Sequence, residues 1–155
     1  MESVMARLNY FDIVKGIKQV LEEDEDLQTY ENGVRIYIGD KLAPGIAEQA
    51  PCVIINKKAR AAPPDKQRLN AGRTTVFDIQ IELICVQYDL ASIEASERRL
   101  DELISFVEIA LMKDRTLRGA VSSFRLDGGR FDNINDGGFI SAAEINLFVN
   151  ASTSY

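Results

Sequence analysis

The stretch TTVFDIQIELICVQYD, residues 74 to 89, is the longest strand-like run in the chain and does most to limit what it can fold into. Phe77, Ile79, Ile81 and Leu83 share one face while Asp78, Gln80 and Glu82 share the other, the period-two pattern of a half-buried strand. Beyond Leu83 the second face also turns apolar, at Ile84, Val86 and Tyr88. Such a strand leaves open sheet for sheet that is covered on both sides.

The elements around it fall into order. Residues 10 to 21 place Tyr10, Ile13, Val14, Ile17, Val20 and Leu21 on one helical face, with Asn9 positioned to cap the start. The helix runs into EEDED, Glu22 to Asp26, where the macrodipole disfavours anions, so it is expected to end there in a solvated acidic surface. VRIYIG (34 to 39) and CVIIN (52 to 56) read as strands, separated by a loop holding Pro44, Gly45 and Pro51. Residues 92 to 114 form the clearest helix. Ser92 is its N-cap and Ile93, Leu100, Leu103, Ile104, Val107 and Leu111 its apolar stripe; Glu94, Glu97, Arg98, Arg99, Asp101 and Glu102 read as a solvated face with a Glu94–Arg98 pair. Three strands follow, at 120 to 127, 130 to 134 and 139 to 149, with DGGR and NDGG as hairpin turns between them. The expected fold is α+β: one domain over residues 1–155, a largely antiparallel sheet, two main helices on one face and a C-terminal three-strand meander. The long strands 74 to 89 and 139 to 149 are candidates for exposed edges that pair with other subunits.

Between the second and third strands lies KKARAAPPDKQRLNAGR, residues 57 to 73. Lys57, Lys58, Arg60, Lys66, Arg68 and Arg73 face only Asp65, so this segment is +5 in a chain of net charge −6, and the remainder is −11. Read as a loop, it is longer than compact domains usually hold without a function. Three readings stand open for it: phosphate contacts to nucleic acid, a solvated loop, or an arm that orders on a protein partner. The first lacks an aromatic residue for base stacking and sits in an acidic chain that repels polyanions. The third draws on Ala61, Ala62, Pro63, Pro64 and Leu69 for apolar contact, and on acidic surface of the same chain or a neighbouring copy.

Much chemistry is excluded. The chain has no histidine, which removes the commonest general base and transition-metal ligand together. No P-loop, dinucleotide fingerprint or GxSxG occurs. DNINDG (132 to 137) is unsuited to calcium because Ile134 and Ala143 stand where ligating oxygens are needed. Cys52 and Cys85, in apolar strands without CxxC spacing, read as buried reduced thiols. No enzymatic activity, cofactor or metal is expected. No apolar run approaches the roughly 18 residues of a membrane span, and the N-terminal residues lack the apolar core of a secretory signal, so synthesis in the cytoplasm is expected.

In its layout the chain resembles the tail terminator, or tail completion, proteins of tailed bacteriophages. The features that carry this are the amphipathic helix ending in acids, VRIYIGDKLAP, PCVIIN, the long loop, FDIQIELICVQYD, LDELISFVEIALMKD, TLRGAV and the closing strands to AEINLFV. The resemblance implies a structural virion protein that assembles with copies of itself as a ring, typically a hexamer, on the last ring of the tail tube at the head-proximal end of the tail. The ring stops tube polymerisation and presents its other face to neck or head-completion proteins, while DNA passes its channel without specific binding. It further implies that Lys57, Lys58, Arg60, Lys66, Arg68 and Arg73 lie at an interface with the tube or an adjacent subunit. The alternatives are a neck or head-tail joining protein of the same ring type, and a nucleic-acid binding module using the basic loop.

Overall fold

The structure is a computed structural model that describes residues 10–39, 50–61, 74–117, 121, 123–135 and 138–154. Helix α1 (Tyr10–Glu22) is followed by the short α2 (Glu25–Thr29) and a 3-10 turn (Tyr30–Asn32). Strands β1 (Arg35–Ile38), β2 (Cys52–Ala61) and β3 (Thr74–Asp89) precede α3 (Ile93–Met112), and β4 (Ser123–Asn135) and β5 (Phe139–Ser154) close the chain. The five strands form one sheet in the order β1-β2-β3-β5-β4. Only β1 and β2 are parallel; every other neighbouring pair is antiparallel. The α+β class and the antiparallel sheet are as expected.

The alternation in β3 decides how the layers stack. Ile79, Ile81, Leu83 and Cys85 face α1 and α3, where they meet Ile13, Val14, Ile17 and Leu21 of α1 and Leu100, Leu103, Val107 and Leu111 of α3. The neighbouring strands add Val53, Ile55, Ile145, Leu147 and Val149 to the same core. Each such side chain, buried fully, contributes about 1.5–3 kcal/mol before chain entropy is set against it. On the other side of the sheet a second, smaller apolar cluster forms only at the far end of β3, from Cys52, Val86, Ile140 and Ala142 with Tyr37, Ile84 and Tyr88 packed on it. The apolar patch that the sequence predicts on the second face past Leu83 is therefore present, but before it Gln80 is half-buried and Glu82 buried, so that stretch is polar without being open.

Four local readings change. CVIIN is the first half of a longer strand, since β2 continues through Lys57 to Ala61 and stays paired with β3 as far as Ala61↔Asp78. DGGR is not a turn, so the meander has two strands and not three. β4 runs unbroken through Gly128 and Gly129, with one extra residue against β5 between Gly128↔Ile145 and Phe131↔Ala143. The glycines serve close approach there: a Cβ on Gly129 would stand 2.6 Å from Glu144 Cβ and 2.8 Å from the Glu144 carbonyl oxygen. Strands β3 and β5 are interior, paired with each other along their whole length, and the margins of the sheet are β1 and β4. Finally, the acidic run is not simply a solvated tail of α1. Asp24 is buried and caps α2, Leu27 N donating to Asp24 Oδ2 at 3.2 Å, so the anions unwelcome at one helix C-terminus sit at the N-terminus of the next. Asn9, the expected cap of α1, lies outside the described residues.

Cys52 and Cys85 are both free and buried. Cys52 stands opposite Val86 and Cys85 opposite Val53, so the thiols occupy adjacent positions across β2 and β3 on opposite faces. Burial pushes the Cys52 thiol up to about 11 and raises that of Cys85 as well.

Candidate interface surfaces

Of the six cations expected at an interface, Lys57 and Lys58 are exposed on β2. Arg60 lies in the same strand, paired in register with Ile79. Lys66, Arg68 and Arg73 lie outside the described residues. Lys58 is already engaged, its Nζ 3.3 Å from Oε2 of the nearly buried Glu82 across the strand pair. The register of β2 shifts between Lys57 and Ala59, and this irregularity lies beside the ion pair.

Glu82 belongs to the half of the sheet face away from the helices that is polar across several strands. Asn56, Glu82, Asn146 and Asp127 form one cross-sheet row. Gln80 Nε2 donates to Asn146 Oδ1 at 3.3 Å, and Asn146 Nδ2 donates to the Gly128 carbonyl at 3.3 Å. Arg125 stacks on Phe148, its guanidinium carbon 4.4 Å from the ring centroid, and Arg130 reaches Glu144 at 3.5 Å. Among the described residues this side of the sheet is lined by amides and balanced charge, with Glu82 buried and Asn56, Gln80 and Asn146 half-buried.

The densest polar cluster lies at the other end of β3. Arg99 of α3 donates through Nη1 to the Tyr88 carbonyl at 2.8 Å and to Asp89 Oδ2 at 3.0 Å. Its Nε donates to Glu31 Oε2 at 2.8 Å and its Nη2 to Glu31 Oε1, a bidentate pair. The fully buried Gln87 donates to the Tyr30 hydroxyl at 3.0 Å and to Glu31 Oε2 at 3.3 Å. The Tyr30 hydroxyl lies 3.1 Å from both the Arg99 carbonyl and Glu102 Oε1. Arg99 holds the Glu31 carboxyl below its ordinary range, and Glu31 in turn raises Arg99; burial raises the Tyr30 phenol. Asp89 is lowered first by the Ala91 backbone N–H and then by Arg99. Every strong donor here has an acceptor, which marks a structural tie between the 3-10 turn, β3 and α3 rather than a group poised for proton transfer. The sequence reading placed Arg99 on a solvated helix face and missed this tie. The rest of that face is as expected: Glu94, Glu97, Arg98, Asp101 and Glu102 are exposed, and Glu94 pairs with Arg98 at 3.5 Å.

A third cluster joins Lys113 Nζ to Asp24 Oδ1 at 2.9 Å and to Asp26 Oδ2 at 3.5 Å, beside a shallow depression of about 300 Å³ lined by Val20, Glu23, Asp24, Ala110 and Asp114. Among the described residues no group of three or more acidic, cysteine or histidine side chains is arranged to hold a metal ion. No helix among them is long and apolar enough to cross a membrane.

Comparison with known proteins adds little to this geometry. No protein-family model matches the chain, and no curated protein matches it. Among solved structures, a chain of the virion of a native gene transfer agent particle is similar in outline, with 13% identity, 90% of this chain and 92% of that chain covered, and a TM-score of 0.38.

Proposed function

We propose that this chain is a structural subunit of a tailed-phage or phage-like particle, assembling with copies of itself into a ring that caps the tail tube, stops its growth and offers its other face to neck proteins. The observation that carries the reading is the order of elements from YFDIVKGIKQVL to AEINLFV, folded into an α+β unit whose helices cover a single face of the sheet. The opposite face, lined by amides and paired charges around Asn146, supports a role built on polar contact. In this reading Lys57, Lys58 and Arg60 mark where the basic segment leaves the sheet toward the tube or an adjacent subunit, with Lys66, Arg68 and Arg73 beyond them. Such a subunit works by interface geometry and performs no catalysis.

Native mass spectrometry with electron microscopy on the same purified sample, alone and with the tail-tube protein, tests the proposal. Closed rings, free or formed on tube ends, are the expected result. A chain that ignores tube ends and binds duplex DNA with a steep salt dependence would instead establish the nucleic-acid reading of the basic segment.

A further inference from the structure

The outer margin of β4 carries a charge pattern that complements itself. The stretch RLDGGRFD, residues 125 to 132, lies on the last strand of the sheet, and all of it except the half-buried Leu126 is exposed. Laid antiparallel against the same stretch of a second copy, centred between Gly128 and Gly129, it sets Arg125 opposite Asp132, Asp127 opposite Arg130 and Leu126 opposite Phe131. The two-fold relation makes each pair occur twice.

In a regular strand this register would fail. Paired positions would differ in parity along the strand and would point to opposite faces. The bulge removes the conflict. Leu126 stands opposite Leu147 and Phe131 opposite Ala143, and these two β5 residues both face the helices. Leu126 and Phe131, five residues apart, therefore share the helix side. Arg125, Asp127 and Asp132, opposite Phe148, Asn146 and Ala142, share the open side, where Arg130 reaches Glu144. The complementary charges thus meet on one face and the apolar pair on the other.

The margin is also available. Phe131 is 66% exposed, and among the described residues neither Asp127 nor Asp132 makes an ion pair. The Phe124 carbonyl accepts from Arg115 Nη2 at 3.2 Å, so the chain caps its own edge up to the residue where the complementary stretch begins. Bulges and charges on an edge strand ordinarily prevent pairing. Here they admit one register, because sliding by two residues brings like charges together or strands them.

We infer that the β4 margin is an isologous docking edge for a second copy of this chain, joining two sheets into one across Gly128 and Gly129. The inference is independent of the ring proposed above, since a two-fold contact neither requires nor builds a cyclic ring.

Sedimentation velocity of the full chain over a concentration series tests it, with Asp127→Arg, Arg130→Asp and the double swap. The wild type should dimerise, each single variant should weaken the dimer by about tenfold or more, and the double swap should restore it. The two single variants, monomeric apart, should pair when mixed, because positions 127 and 130 are then both basic in one chain and both acidic in the other. Unchanged circular dichroism and melting would confirm that each variant folds. A monomeric wild type at about 100 μM, or single variants that associate like the wild type, overturns the inference. Single variants that lose the two-fold association yet still form rings would support the inference and leave the proposed function standing.

Discussion

Replacing Arg99 by Ala probes the tie on which the 3-10 turn depends. Glu31 sits at φ 45°, followed by Asn32 at 69° and Gly33 at 105°, three successive left-handed residues of which only Gly33 adopts that backbone without cost. The bidentate contact from Arg99 holds this turn against β3 and α3. Breaking a fully buried ion pair costs about 3–5 kcal/mol, but Arg99 and Glu31 retain 33% and 25% of their side-chain exposure, and solvent screening reduces the loss to about 2 kcal/mol. For a chain of 155 residues this corresponds to a fall in Tm of about 4–8 °C. Urea unfolding of wild type, Arg99→Ala, Glu31→Gln and the double variant would measure it, with the coupling energy read from the cycle. Additive effects, or a loss under about 0.5 kcal/mol for Arg99→Ala, would refute the claim that this contact holds the turn.

Acid should act through the same residues. The folded-state values of Glu31 and Asp89 lie below their unfolded ones, so their contribution is complete above the unfolded values and is lost as pH falls through the folded ones; a pH series of Tm should fall below about pH 4.5, less steeply in Arg99→Ala. Gly129→Ala forces its new Cβ against the Glu144 backbone and should cost about 1–3 kcal/mol in urea unfolding, whereas Gly128→Ala, with open space around it, should cost less. Both thiols should resist a thiol reagent at pH 8 until the protein unfolds, since Cys52 and Cys85 are completely buried and their thiols are held protonated. Rapid labelling of either in the native state would show that β2 and β3 open readily at that end.

The helices and the two-faced β3 were legible because their cause is local. Apolar spacing within one element decides which face is buried, and Ile79 to Tyr88 carry that information in their own alternation. The β4 strand was misread because Gly128–Gly129 is an ordinary turn signal, and nothing in the local sequence reveals that β5 runs alongside as an unbroken 16-residue template. With that template present, one extra residue is absorbed as a bulge. The acidic run misled in a related way. Repulsion from the end of α1 was the correct physics, but a five-residue helix starting at Glu25 leaves almost no periodic signal. The Arg99 tie was invisible because its partners come from sequence separations of 68 and 10 residues, and no spacing rule joins a helix arginine to a carboxylate that distant.

The acidic run and the base of the basic segment lie toward the same end of the sheet. Lys113 ties Asp24 and Asp26 to the end of α3, and two residues later Arg115 holds the Phe124 carbonyl. Phe124 stands in the cross-sheet row that continues through Val149 and Ile79 to Arg60, the strand position next to the point where β2 is last described. The acidic helix junction and the base of the basic segment therefore share an end of the sheet. Opposite charges at a common end offset one another beyond a Debye length of about 8 Å, so they produce little of the field that draws in a polyanion. At contact range each charge still selects its partner, because pairing there is set by individual groups and not by the sum. For the proposed role, that division suits a protein surface rather than duplex DNA as what the basic segment meets.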